Sequence, residues 1–385
     1  MSERIYDAII LGAGAAGLMA AAHLKRKSVA ILEHNPKPGA KIAISGGGRC
    51  NITNAELSPS RYLGDPSFIE SVFSQFDNHD LIEFLHRHGL EPVVRKENQY
   101  FCPDRARELI DTLLRAGSGG DFSGNEFFYD TEVNGVVKEN GLFAVDSSRG
   151  IYRAKKLIVS TGGLSYKSVG AGGAGLQIAE AFGHRVRPPN PALVGLTLQP
   201  EQAWMRSLSG LSLPVEIGVG RRVLKEDMLF THKGISGPAV LNASLYWKQG
   251  KIVVDFLPKK RIKTLLKSPT KSAASQIPLP KRFVRAFFDS LDIPNIPYKE
   301  MNEIQKQRLS LLKSYAFAPA GTFGFTKAEV TKGGVDTDQI DPYTMQSRLT
   351  EGLYFAGEVI DVTGEIGGYN FQWAFSSAVV AAKSI

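Results

Sequence analysis

The sequence predicts an α/β protein whose main domain is discontinuous, its two parts at the ends of the chain and a β-rich segment inserted between them. Three observations predict this. A strand, a glycine cluster and a helix follow one another at the N-terminus. A second strand, glycine cluster and helix close the C-terminus. Between them the composition changes at the proline run Pro188-Pro189-Asn190-Pro191.

The N-terminal unit occupies residues 4–33. The apolar run Ile5-Tyr6-Asp7-Ala8-Ile9-Ile10-Leu11 reads as a strand and Gly12-Ala13-Gly14-Ala15-Ala16-Gly17 as a tight turn. An alanine-rich helix then reaches Lys27, and Val29-Ala30-Ile31-Leu32 forms a second strand stopping on Glu33. Gly12 lets the backbone turn out of the strand, Gly14 leaves room for a pyrophosphate, and Gly17 lets helix and strand pack closely. The free N–H groups and positive dipole end of the helix then face the phosphates. Glu33, sixteen positions beyond Gly17, stands where a carboxylate accepts a ribose 2′-hydroxyl and repels a 2′-phosphate. With all these parts in register, the segment reads as a Rossmann-like site for a dinucleotide carrying adenosine diphosphate.

At 385 residues the chain exceeds what one hydrophobic core usually serves, so two or three domains are expected. No apolar run is long enough to span a bilayer, and the first apolar residues are already used as a strand rather than a secretory leader. A cytoplasmic location is expected. Cys50 and Cys102 lie far apart in sequence and make neither a Cys-x-x-Cys pair nor a metal-ligand spacing. Both read as reduced buried thiols, no metal is expected, and a disulfide oxidoreductase is disfavoured. The net charge of +8 is concentrated: residues 256–313 hold thirteen Lys and Arg against four Asp and Glu, so the remainder is near neutral. Such a segment is either a nucleic-acid surface or a solvated helical face.

After Glu33, Pro36-Lys37-Pro38-Gly39-Ala40-Lys41 forms a loop, and Ile42-Ala43-Ile44 leads to Ser45-Gly46-Gly47-Gly48-Arg49-Cys50-Asn51. Three consecutive glycines are costly in ordered structure unless the backbone needs positive φ or close ligand contact. Arg49 and Asn51 add donors beside them, so this reads as a second cofactor-cradling loop rather than a flexible surface loop. Apolar residues recur at helical spacing over residues 67–89, and Pro103 opens a further helix burying Leu109, Ile110, Leu113 and Leu114. Residues 126–137, 141–145 and 151–153 read as a β-meander turning at Asn140-Gly141. The strand Lys156-Leu157-Ile158-Val159 ends at Ser160-Thr161-Gly162-Gly163. Ligands sit outside such carboxyl ends in doubly wound sheets, which places Thr161 and Gly162 near the cofactor. A helix from near Leu176 closes this half.

The proline run reads as a stiff linker. Residues 193–198, 214–219, 223–230 and 251–256 read as strands of a β domain. Residues 259–313 follow a helical pattern interrupted by Pro269, Pro278, Pro280, Pro294 and Pro297, a small basic helical insertion. Residues 323–330 return to the β domain. The expected boundaries are therefore 1–190 for the first part of the cofactor domain, 191–256 and 314–331 for the inserted β domain, 257–313 for the insertion and 332–385 for the second part.

In that last part Leu353-Tyr354-Phe355-Ala356 precedes Gly357-Glu358, then Gly364-Glu365-Ile366-Gly367-Gly368-Tyr369-Asn370 and an apolar helix over residues 371–382. A second helix N-terminus suits a flavin, whose reduced ring carries negative charge, better than a nicotinamide. Such a terminus contributes about 0.3–2 kcal/mol to an anion.

At these residues a resemblance becomes specific. The stretches Ile44-Ser45-Gly46-Gly47-Gly48-Arg49-Cys50-Asn51-Ile52-Thr53-Asn54, Thr231-His232-Lys233-Gly234-Ile235-Ser236-Gly237-Pro238-Ala239 and Gly357-Glu358-Val359-Ile360-Asp361-Val362-Thr363-Gly364 resemble signatures of the bacterial BaiN/YhiN-like, or aminoacetone-oxidase-like, FAD-binding flavoproteins. So does Gly367-Gly368-Tyr369-Asn370-Phe371-Gln372. The resemblance runs from Tyr6 to the C-terminus. It implies non-covalent FAD, a two-part glutathione-reductase-like FAD domain, an inserted β-barrel-like domain and a smaller helical insertion. It further implies FAD contacts at Gly12, Gly14, Ala16, Gly17, Glu33, Lys41, Ser45, Gly46, Gly48, Arg49, Cys50, Asn51, Val133, Thr161, Gly162, Gly357, Glu358, Gly368, Asn370 and Phe371. Val133 would present backbone groups to the adenine. One departure is Gly172-Gly173-Ala174-Gly175, where a Thr-Gly-Asp-Gly type turn is expected; the polar side chains of that turn are missing here.

The leading functional expectation is an FAD-dependent oxidoreductase of a small organic substrate, either an oxidase using O2 or a reductase fed by transiently bound NAD(P)H. No second glycine triad of the first kind provides a dedicated NAD(P)H domain. The alternatives are an RNA-associated flavoprotein of the tRNA-modification type using its basic insertion, and a non-catalytic FAD-binding sensor. Phe283, Phe287 and Phe288 are spaced as a helix core rather than as base-stacking platforms. That spacing ranks a nucleic-acid partner below a small molecule. His232 is either a substrate-facing acid or base or a loop-fixing histidine. No nucleophile–base constellation marks a catalytic residue, and the sequence is silent on oligomeric state.

Overall fold

The strand Ile5–Leu11 lies inside a seven-stranded sheet, its last four residues buried because they are apolar whichever face they point to. The computed structural model describes residues 4–95, 98–118 and 124–385. Across the sheet the order is Gly124–Phe128, Ser28–Leu32, Ile5–Leu11, Gly150–Val159, Leu142–Ser147 and Val133–Glu139. The first four strands pair in parallel and the last two extend the sheet antiparallel. Gly150–Val159 takes two partners along one side. Its residues 150–154 pair with Leu142–Ser147, and its residues 157–159 pair in parallel with Leu353–Phe355. One strand thus brings the end of the chain beside its beginning. The final helix, Tyr369–Lys383, is buried nearly all round, its polar Gln372, Ser376 and Ser377 included, and packs on Ala15–His23. This is the Rossmann-like α/β arrangement that the N-terminal turn chemistry predicts.

Several elements differ from their sequence reading for local reasons. The stretch 126–137 is two strands, not one. Asp130 takes a left-handed φ of 50°, so Gly124–Phe128 joins the parallel sheet and Val133–Glu139 the meander. Conversely, residues 151–153 and 156–159 belong to one strand. The helix expected over 67–89 is split into Pro66–Phe73 and Asn78–Arg87. The Asp77 carboxylate accepts from the N–H groups of His79 and Asp80 and starts a new helix. The helix expected at Pro103 begins at Arg107. The proline run is not a linker but most of the strand Val186–Ala192, paired with Val330–Val335 in a two-stranded ribbon. Such a ribbon tolerates residues without an N–H, because only one side needs ladder bonds.

The chain divides into two units, Met1–Pro191 with Glu329–Ile385, and Ala192–Ala328. The second holds a seven-stranded antiparallel sheet in the order Tyr315–Phe317, Ile252–Asp255, Ser212–Val219, Arg222–Thr231, Gly234–Ser236, Leu196–Thr197 and Gly321–Thr322. Its two edge strands are joined directly by Ala318-Pro319-Ala320. A flat sheet of this width would hold its edges about 29 Å apart at about 4.8 Å per strand. The joining segment reaches at most about 15 Å. The sheet is therefore strongly curled. Its core includes Phe230, Phe256, Phe283 and Phe287. The last two lie on the helix Lys281–Ser290, whose Lys281, Arg282 and Arg285 are exposed. Among the described residues no helix is long and apolar enough to cross a membrane.

Candidate cofactor and active site

The carboxyl ends of four parallel strands deliver Gly12, Glu33, Ser160 and Ala356 to one edge of the first unit's sheet. Each glycine of the first turn has a separate steric reason. Gly12 has φ 95°, and a Cβ there would lie 2.9 Å from the Ser160 carbonyl oxygen. A Cβ on Gly17 would lie 1.8 Å from the Gly12 oxygen, so only glycine allows this helix–turn approach. At Gly14 a Cβ would meet nothing within 4 Å: this is open space. The helix that follows, Ala15–His23, has no side-chain cap, so its first N–H groups remain free for an anion.

Glu33 is buried and ties this turn to its own strand end. Its Oε2 accepts the Ala13 N–H at 2.7 Å, while its Oε1 accepts the backbone and side-chain N–H groups of Asn35 at 2.9 and 2.8 Å. A carboxylate oxygen accepts two hydrogen bonds, so Oε2 keeps capacity for a hydroxyl donor. Thr131 donates its N–H to the Glu33 carbonyl at 2.9 Å. That bond sets the start of the strand carrying Val133 beside the same acid.

The two other glycine loops meet each other. Gly46, Gly47 and Gly48 all take left-handed φ, and Cys50 joins them at 45°. Beyond them Thr53 donates its hydroxyl to Gln372 Oε1 at 2.5 Å, and Asn54 donates to the Gly367 carbonyl at 3.3 Å. Gly368 lies so close to Thr53 that a Cβ would sit 2.6 Å from its carbonyl carbon. The N-terminus of the helix Tyr369–Lys383 is again without a side-chain cap. Gly357 closes the circuit: a Cβ there would meet the Ala16 methyl at 3.0 Å. The Asn370 side chain braces the loop instead of standing free, accepting from the Gly364 N–H and donating to the Gly364 carbonyl, both at 2.9 Å.

A polar cluster joins these loops. Lys41 donates to Glu358 Oε2 at 2.5 Å, and Glu358 Oε1 accepts the Thr331 N–H at 2.7 Å. Thr331 Oγ1 in turn accepts the N–H groups of Leu164 and Ser165. The Lys41 ammonium stands 5.8 Å from the centroid of the Tyr166 ring, and Tyr166 holds a left-handed φ of 66°. Burial raises the Glu329 carboxyl above the usual carboxylate range against the opposing charge of Lys41, and burial with the Glu329 charge raises the Tyr166 phenol. No motif or spacing marks Thr331 or Glu329 as part of this cluster; Thr331 lies within the strand Val330–Val335 and Glu329 immediately before it, so the placement of that strand selects them.

Buried polar atoms test whether a ligand belongs here. Thr161 Oγ1 and Asn51 Oδ1 are both buried without a hydrogen-bond partner, and both belong to residues read from the sequence as cofactor contacts. Such orphaned polar atoms cost free energy unless something supplies a partner, a donor for the Asn51 amide oxygen and either a donor or an acceptor for the Thr161 hydroxyl. Together with the open space over Gly14 and two uncapped helix N-termini, they fit an extended, phosphate-bearing ligand with hydroxyl donors. Arg49 is exposed. His232 lies in the second unit, exposed in the turn between Arg222–Thr231 and Gly234–Ser236.

Cys50 and Cys102 are neighbours in space despite their sequence separation. Pairing of Asn51–Asn54 with Gln99–Phe101 carries them together, both buried and both free. The Cys50 thiol donates to Cys102, which holds the Cys102 thiol below its ordinary range and, with burial, pushes that of Cys50 up.

The HI0933-like protein Rossmann domain family matches residues 6–384. The chain belongs to this family. The relationship covers the whole BaiN/YhiN-like resemblance. This HI0933-like chain is 39% identical over 394 residues to a "Ribosomal RNA dihydrouridine synthase" of Escherichia coli (strain K12), covering 99% of the chain and 98% of that protein. A protein of the same description from Haemophilus influenzae is also 39% identical, with 98% of each covered. A "3-dehydro-bile acid delta(4,6)-reductase" of Clostridium scindens is 32% identical over 407 residues, 97% of this chain and 98% of that one. Among solved structures, Escherichia coli quinol fumarate reductase FrdA superposes with a TM-score of 0.54 at 15% identity, covering all of this chain and 70% of that one. The 3-ketosteroid-delta4-(5alpha)-dehydrogenase of Rhodococcus jostii does so with a TM-score of 0.53 at 13% identity, covering all of this chain and 96% of that one. These two likenesses show the fold alone. The HI0933-like chain is a flavin-dependent oxidoreductase.

Proposed function

We propose that this protein reduces a uridine of ribosomal RNA to dihydrouridine with non-covalently bound FAD. The observation that carries the reading is 39% identity across nearly the full length to two ribosomal RNA dihydrouridine synthases. It displaces the small organic substrate as the leading reading and raises the nucleic acid that phenylalanine spacing had ranked lower. The +9 balance of residues 256–313 supports it.

The reactions named for the two kinds of relative share one chemistry: two hydrogens add across a C=C conjugated to a carbonyl. For uridine, a hydride would go to C6 and a proton to C5, with NAD(P)H and a solvent proton restoring the balance. FAD, when bound, supplies the hydride. Gly12, Gly14, Ala16, Gly17, Glu33 and Val133 would hold its adenosine diphosphate. Lys41, Ser45, Gly46, Gly48, Arg49, Cys50, Asn51, Thr161, Gly162, Gly357, Glu358, Gly368, Asn370 and Phe371 would hold the flavin half. Glu329 and Tyr166, each raised by burial, are groups that can keep a proton for the substrate carbon. In this reading 1–190 and 332–385 form the FAD domain, 191–256 and 314–331 a barrel-like inserted domain, and 257–313 its basic insertion.

The test is direct. FAD-loaded protein is incubated with NADH or NADPH and with unmodified ribosomal RNA transcripts, and digested nucleosides are analysed by mass for dihydrouridine. Its formation is the expected result. Absence of dihydrouridine, together with turnover of a conjugated steroid enone, would overturn the reading in favour of a small substrate.

A further inference from the structure

We infer that the outer face of the helix Lys281–Ser290 and the basic stretch before it form the docking surface for the RNA sugar–phosphate backbone, an inference that rests on ribosomal RNA being the substrate. Between Asp255 and Asp289 the chain holds nine Lys and Arg and no acid. All nine are exposed: Lys259, Lys260, Arg261, Lys263, Lys267 and Lys271, then Lys281, Arg282 and Arg285. Among the described residues only Arg285 has an acid in ion-pair reach, Asp289 at 3.8 Å, and both are widely exposed. Charges left without partners on one acid-free segment are what a polyanion neutralises, with release of its counterions.

The last three cations line a shaped site. The helix Lys281–Ser290 and the turn-rich segment Pro200–Leu208 border a groove of about 660 Å³ lined by Trp204, Ser207, Lys281, Arg282, Arg285 and Asp289 among others. Arg282 donates to the Ser207 carbonyl and, at 3.2 Å, to that of Ser209, so the two walls are tied together. The opposite helix face, Phe283, Val284, Phe287 and Phe288, is buried in the core and fixes the basic face outward. That burial also argues against a lipid surface, since a helix lying on a membrane keeps its apolar face for the lipid. Trp204 packs edge-on against Phe283 and Phe287 and donates Nε1 to the Tyr315 hydroxyl at 3.1 Å, which makes it a wall and not a stacking platform. The groove therefore reads backbone charge, not base identity.

The experiment uses the full flavin-loaded chain and its Lys281→Gln/Arg285→Gln variant, with Lys263→Gln/Lys267→Gln as a second variant on the same segment. Filter binding to a ribosomal RNA transcript is measured over a range of salt. The slope of log K against log salt should fall by about 1.4–1.8 for each pair of cations removed, with at least tenfold weaker binding at low salt. Flavin content and melting temperature should match the wild type. Variants that bind with wild-type slope and affinity overturn the docking surface, as does a wild type that binds anionic vesicles but not RNA. A wild type that binds the transcript with the expected slope yet forms no dihydrouridine overturns the substrate reading alone.

Discussion

Lys41 donates to the Glu358 carboxylate at 2.5 Å across 317 positions of sequence. The pair joins the short helix Ala40–Ile44, which follows the first βαβ unit, to the turn after the C-terminal strand, and it is partly shielded from water. A partly buried pair held by a further N–H bond from Thr331 should couple more strongly than an exposed one. In a double-mutant cycle of Lys41→Met and Glu358→Gln, the interaction energy read from flavin affinity should be about 1–3 kcal/mol. A cycle closing to zero would mean the pair is incidental. Lys41→Met also removes the charge that opposes the raised Glu329 carboxyl, so any pH–rate limb set by Glu329 should move to higher pH.

Gly14 and Gly17 should separate binding from folding. Gly14→Ala places a methyl in open space at an ordinary φ of −79°, so stability should hold while flavin affinity falls at least about tenfold, roughly 1.4 kcal/mol. Gly17→Ala drives a methyl into the Gly12 carbonyl and should cost about 3 kcal/mol of stability. Thermal melts and flavin titrations on both variants check this; equal behaviour of the two would contradict it.

Glu33→Ala removes the acceptor of the Ala13 N–H and the carboxylate proposed to hold the ribose hydroxyl. A charge-assisted hydrogen bond is worth about 1.5–3 kcal/mol, so flavin affinity should drop about 10- to 150-fold. Equilibrium dialysis against FAD and FMN distinguishes the cause: only the adenine-bearing cofactor should be affected strongly.

His23 sets a pH dependence of stability. Burial against Phe84 and Phe76, opposed by a bond to the Met19 carbonyl and reinforced by Lys383, Lys25 and His88, pushes its imidazole down to about 4. Between pH 6.5 and 4 the unfolded chain binds a proton that the folded one refuses, so stability is full above 6.5 and declines as pH falls. The loss amounts to about 3 kcal/mol at most. Urea melts of wild type and His23→Gln over that window should converge toward low pH; parallel curves would rule out the histidine.

What the chain determined by itself is local. The Gly12–Gly17 turn, Glu33 at the end of the second strand, the triple glycine and the strand before Thr161 are each legible, because a strained φ or a close backbone approach demands a particular residue at that position. The phenylalanine spacing of residues 283–288 correctly announces a helix core, while the cations between them report a surface that periodicity cannot assign to a partner. Only the tertiary structure decided that Lys41 meets Glu358, that Thr331 braces the loop at Ser165, that Cys50 lies against Cys102 and that a proline run is half of a ribbon. Those contacts join segments far apart in sequence. No local propensity encodes them, because they arise from which strands share a sheet and from where its parallel carboxyl ends leave their loops.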